Sequence, residues 1–169
     1  MKATDYAGIM ALTAKQEEML LIPHFSNKDA WKLGNFLTEK VYEKGIALAI
    51  CIRRMNGCIL YQHLTEKTNT NNVNWMRRKF RTVSLMEMSS LQAWATCHIN
   101  GESIVDMGLL DTEYVLVGGG FPVRLTTGEL VGVITVSNLP HEQDHQFIVE
   151  CLQEYLGVKD VPVMAFDPE

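Results

Sequence analysis

Six basic residues stand in two short runs, Arg53-Arg54 and Arg77-Arg78-Lys79 with Arg81, in a chain whose formal net charge is −5. Residues 77 and 81 are four apart and share one face of any helix built there. Arginine's planar fork grips carboxylates and phosphates through paired hydrogen bonds. The cluster therefore suits an anionic ligand: a carboxylate, a phosphate, or the propionates of a tetrapyrrole. Arg53 stands out because its strand face is otherwise Ala47, Ala49 and Cys51. The plain alternative is a solvated helix face with two charges at a strand end.

Asp144-His145 is a second constellation. An alternating strand, 130–137, runs through a short turn into Pro140, which opens a helix carrying this pair on its first turns. Helix-start amides favour a carboxylate there, and an imidazole ionises near neutrality. The pair is a candidate acid and base, or simply a helix-start acid beside a satisfied core histidine. No GxSxG motif is present, and no Ser or Cys is marked by its surroundings as a nucleophile.

Gly118-Gly119-Gly120 follows a strand-like segment, and its amides, Gly119 at the centre, could face an anion. It is not GxGxxG and opens no helix, which argues against a dinucleotide site; a bulge or chain crossing is the structural alternative. His24, His63, His98 and His141 are isolated and read as ordinary surface or core residues. Cys51, Cys58, Cys97 and Cys151 form no CxxC pair, so buried free thiols are expected and a metal site is not.

These residues need a scaffold. A chain of 169 residues, 47% hydrophobic and 21% charged, fits one domain with a real core. Its acidic balance argues against nucleic acid as a partner. No segment approaches the ~20 apolar residues of a membrane span, and the first residues do not read as a signal peptide, so the expected location is cytoplasmic.

Helices are predicted over 4–20, from an N-cap at Ser26 to Gly45, over 72–88, over 91–98 and over 140–156. Strands are predicted over 46–53 and 58–63 around an Asn56-Gly57 turn, then at 103–106, 114–117, 121–125 and 130–137. Short hairpins between strands imply an antiparallel sheet covered by helices, an α+β layered domain.

In this order and spacing the chain resembles the haem-degrading-domain superfamily of HbpS-like and GlcG-like proteins, and within it an uncharacterised branch. The matching pieces are Gln16-Glu17-Glu18, Asp29-Ala30 with Leu33-Gly34, and Ile52-Arg53-Arg54 with Gly57. They continue through Asn72 and Trp75-Met76-Arg77-Arg78-Lys79, Gly118-Gly119 with Phe121-Pro122, and Gly132 to Asp144-His145. Val117 stands where the pattern has His, Glu66-Lys67 where it has Pro-Gly, and Asn138 where it has Gly.

The resemblance implies a profilin-like fold, homo-oligomers, and haem as a possible ligand. Together with the residues, it gives a candidate ligand-binding set of Arg53, Arg54, Trp75, Arg78, Lys79, Gly119, Asp144 and His145. The leading expectation is a small-ligand binding module. The alternatives are an oligomeric interaction protein, with Trp31, Trp75 and Trp94 as anchors, and an enzyme using Asp144 and His145.

Overall fold

The computed structural model describes residues 4–165. Nine elements follow one another: α1 (Tyr6–Met19), α2 (Asn27–Lys44), β1 (Ala49–Arg54), β2 (Ile59–Leu64), α3 (Thr70–Met86), α4 (Ser90–Asn100), β3 (Gly120–Arg124), β4 (Leu130–Ser137) and α5 (His141–Leu156). The four strands make one antiparallel sheet in the order β2-β1-β4-β3. The predicted α+β antiparallel architecture is the one observed.

Local chemistry sets the helix limits. Ser26 caps α2 by accepting from the Asp29 amide, while the Asp29 carboxylate accepts from the Ser26 amide, and Gly45 ends the helix in the left-handed region. Helix α3 begins two residues earlier than predicted because Asn69 and Asn72 form the same reciprocal box. A Ser89 cap likewise starts α4 at Ser90.

The two faces of β1 carry different layers, because successive side chains point to opposite sides of a sheet. Leu48, Ile50 and Ile52 join the main core with Leu33, Leu37 and Val41 of α2 and Ile148 and Leu152 of α5. Ala49 and Cys51 pack on Met76 of α3. Helices α2 and α5 thus cover one face and α3 the other, while α1 lies along α4.

Two predicted strands are absent. At 103–106 the Asp106 carboxylate accepts from the backbone and hydroxyl of Ser103 at 2.9 and 2.7 Å, making a turn, and Val105 is left exposed. Side-chain bonds to nearby backbone compete with a sheet ladder. At 114–117 the Thr82 hydroxyl donates to the Val115 carbonyl at 2.7 Å and accepts from its amide at 3.1 Å. One helix side chain there takes the place of a neighbouring strand.

Candidate functional site

Lys79 lies on the inward stripe of α3, three residues after Met76 and four before Val83, and is only 2% exposed. A buried ammonium needs acceptors. Its Nζ donates to Asp144 Oδ2 and to the Val136 carbonyl, both at 2.8 Å. Asp144, on the first turns of α5, also accepts from the Leu139 amide at 3.0 Å on Oδ1. Desolvation pushes the Asp144 carboxyl up against the pull of Lys79, and pushes the ammonium down against the pull of Asp144.

The middle of the glycine run lies directly against this pair. Gly119 has φ +107°, and a Cβ there would stand 2.7 Å from Lys79 Nζ and 2.9 Å from both Asp144 Cβ and the Val136 carbonyl. At Gly118 a Cβ would meet the His141 carbonyl at 2.3 Å. Gly119 thus permits a close approach that a side chain would block.

Above the pair opens a groove of about 380 Å³, with Lys79 and Asp144 in its lining. Asn69, Asn71, Asn72 and Trp75 bring the start of α3 to one side. Val117, Asn138, Leu139 and His141 bring the glycine segment and the start of α5 to the other. Two helix N-termini therefore meet at one opening, and both favour negative charge. On α5, Glu142 and Asp144 lie in the first turn and oppose this, although Asp144 is paired with Lys79.

The groove walls are fixed. The Asn72 amide donates to Ser137 Oγ at 3.2 Å and that of Asn138 to the Ala47 carbonyl at 3.0 Å. Asn138 itself has φ +141°. Lys67 has φ +67°, so both non-glycine residues that stand where the resembled pattern has Gly keep a glycine-like backbone. His141 Nδ1 accepts from the Gly118 amide at 3.1 Å, which leaves the ring proton on Nε2, 3.2 Å from Glu142. Burial holds this imidazole below its ordinary pKa, with Glu142 opposing.

Of the predicted set, Trp75, Lys79 and Asp144 line this groove and Gly119 lies against the buried pair. Arg78 sits behind it, its guanidinium 4.8 Å from the Trp75 ring centroid and bonded to the carbonyls of Asp111 and Tyr114. Arg53 and Arg54 are elsewhere. Arg53 lies over the Phe80 ring at 5.3 Å, and Arg54 bonds the Asn27 side chain. The basic residues do not converge on one groove.

His145 turns away from Asp144 into the core, where it is 0% exposed. The Gln16 amide donates to the Pro162 carbonyl at 2.7 Å, so its Oε1 is an acceptor and takes the His145 Nε2 proton at 2.7 Å. Burial pushes His145 down to about 3. Asp144 and His145 thus serve two different networks rather than one acid–base pair. His141 and four asparagines, Asn69, Asn71, Asn72 and Asn138, are the main polar groove residues outside the predicted set. The clue was Asn69-Thr70-Asn71-Asn72 itself, an asparagine N-cap with a second asparagine three residues on.

With this geometry in view, comparison with known proteins decides the family. A family model described as haem degrading protein HbpS-like matches residues 25–153. The chain belongs to the HbpS-like family. A UPF0303 protein of Paraburkholderia xenovorans is 36% identical over 154 residues, covering 90% of this chain and 93% of its own. Another, from Yersinia enterocolitica, is 31% identical over 145 residues, with 85% and 86% covered.

Among solved structures, Ybr137w superimposes with a TM-score of 0.79 at 23% identity, covering 88% of this chain and 87% of its own. HbpS gives 0.63 at 17%, covering 80% and 92%. A complex of PduOC with haem gives 0.64 at 16%, covering 78% and 94%. These three likenesses establish the shared HbpS-like fold. Among the described residues no helix is long and apolar enough to cross a membrane.

Proposed function

We propose that this HbpS-like protein is a small-ligand binding module whose site is the groove between the starts of α3 and α5. Its ligand is a flat organic molecule carrying an anionic group. The observation that carries this reading is the meeting of Trp75 with two helix N-termini over a buried Lys79–Asp144 pair. An indole offers a ring surface, and the helix starts favour a carboxylate or phosphate.

Haem belongs to that class, and PduOC, which shares the fold, is a protein solved with haem. The groove suits a macrocycle edge and its propionates, but not the iron. His141 Nδ1 is taken by the Gly118 amide, its Nε2 holds the ring proton, and Lys79 is engaged by Asp144 and Val136. Binding is therefore through ring and carboxylate, independent of metal.

The test is titration with haemin and with metal-free protoporphyrin IX, followed by absorbance and tryptophan emission. Both are expected to saturate at one per chain with similar affinity, and Trp75→Ala to weaken both about tenfold, near the ~1.4 kcal/mol that a good aromatic contact contributes. Unsaturable uptake, or a Trp75→Ala variant that binds as the wild type does, would overturn the site. Binding of haemin alone would overturn the metal-independent mode.

A further inference from the structure

A second groove, of about 480 Å³, lies between the β1–β2 hairpin and α3. Arg53, Arg77 and Arg81 line it with Asn56, Phe80 and Tyr114, and no acidic residue is part of the lining. Arg77 is largely committed: it bonds Glu113 at 2.8 Å, the Asn74 side chain at 3.2 Å and the Thr112 carbonyl at 3.0 Å. Arg81 reaches the same Glu113 oxygen only through Nε, at 3.2 Å. Its two Nη groups have no protein partner among the described residues.

Arg53 is the unusual member. Its Nε is buried with no oxygen or nitrogen acceptor, and the side chain lies within bonding reach of the Cys51 thiol. A buried donor without an acceptor is costly, and such groups in folded proteins generally have a reason. The guanidinium is held over the Phe80 ring at 5.3 Å, and that of Arg81 over Tyr114 at 5.9 Å, so aromatic rings back both forks. One carboxylate, Glu113, pairs with Arg77 and Arg81, so with Arg53 the three guanidiniums keep two net positive charges in an acidic protein.

We propose that this groove is a separate binding site for a small phosphate monoester, its dianionic phosphate held between Arg53 and Arg81. The charge matches, and guanidinium forks bind phosphate oxygens in pairs. Arg77 is a positioning residue that fixes Glu113 and, through it, Arg81. The exposed Leu85 and the ring of Phe80 at the groove give the ester's organic part an apolar surface. The site does not depend on the groove at Trp75.

Calorimetric titration at constant ionic strength, with inorganic phosphate, phenyl phosphate and succinate, tests this on the full chain. Phenyl phosphate is expected to saturate and to bind more tightly than inorganic phosphate, with succinate weakest. Arg81→Gln, at a half-exposed position, is expected to weaken phenyl phosphate about tenfold or more, since a charge-assisted bond contributes roughly that factor. Arg53→Met should do the same, and Trp75→Ala should leave binding unchanged. Affinity should fall from pH 7.5 to pH 5, as the phosphate gains its second proton near pH ~6.

Unsaturable heats, or an Arg81→Gln variant that binds as the wild type does, would overturn the site. So would a change in the mass of Arg81→Gln by light scattering, which would place Arg81 in a contact between copies. Succinate binding as tightly as phenyl phosphate would overturn the phosphate assignment.

Discussion

Lys79→Met is the most informative single change, because it leaves Asp144 in the core with its charge and without its counter-ion. Both side chains are 3% exposed and 2.8 Å apart. Removing one partner of such a pair destabilises by roughly 3–5 kcal/mol, whereas replacing both with apolar residues is often close to neutral. For a domain of this size that loss lowers Tm by roughly 6–20 °C.

The double variant Lys79→Met/Asp144→Leu should recover at least half of the loss. Full recovery is not expected, because the Leu139 amide then lacks its acceptor, a deficit of about 1–3 kcal/mol. Urea unfolding near neutral pH gives the stabilities, and unchanged m-values show that the same transition is compared. The pH dependence has a definite sign. In Lys79→Met the Asp144 pKa rises further, and folded stability present at low pH is lost as pH rises through it. The gap to wild type should thus be wide at pH 7 and narrower at pH 4. A Lys79→Met variant within about 1 kcal/mol of wild type would refute the reasoning, as would a double variant no better than the single.

His145 is expected to drive much of the acid unfolding. Its pKa is 6.5 in the open chain and pushed down to about 3 in the fold, so the unfolded state binds more protons between those values. Stability is complete above pH 6.5 and declines as pH falls towards 3, by roughly 5 kcal/mol in all. Urea midpoints across that range should fall steeply for wild type and less so for His145→Gln; parallel slopes would refute the assignment. Gly119→Ala combines a positive φ with contacts below 3.0 Å to Lys79, Asp144 and Val136. It should destabilise by at least ~2 kcal/mol in the same assay, against about 1 kcal/mol for Gly45→Ala, where φ is also positive but the space is open.

The parts legible in the sequence are those governed by period and capping. The β1 alternation separated Ile50 and Ile52 from Ala49 and Cys51 correctly, and Ser26 and Gly45 marked the ends of α2. Segments at 103–106 and 114–117 carry strand-like apolar residues, but their backbone partners are Asp106 and Thr82 side chains. The groove was half legible. Asp144 and Lys79 stood out as charges, yet their pairing spans 65 residues and depends on how α3 meets α5. Nothing local announces that distance.

The basic run on α3 shows why adjacency misled. Each helical residue turns the side chain by ~100°, so residues two apart point almost oppositely. Lys79 accordingly enters the core while Arg77 and Arg81 reach Glu113 on the outer side. Arg78, between them, binds the carbonyls of Asp111 and Tyr114 and backs Trp75. One cluster in the sequence is therefore three environments in the fold. The lysine is held in the core, one arginine supports the first groove, and two arginines flank the second. That second groove gains Arg53 from β1, whose end lies beside Phe80 because β1 packs on α3. The two proposed sites divide accordingly, with ring and carboxylate binding proposed at Trp75 and phosphate binding proposed between Arg53 and Arg81. Trp75→Ala and Arg81→Gln should then each weaken one binding about tenfold and spare the other, because no side chain is shared by the two linings.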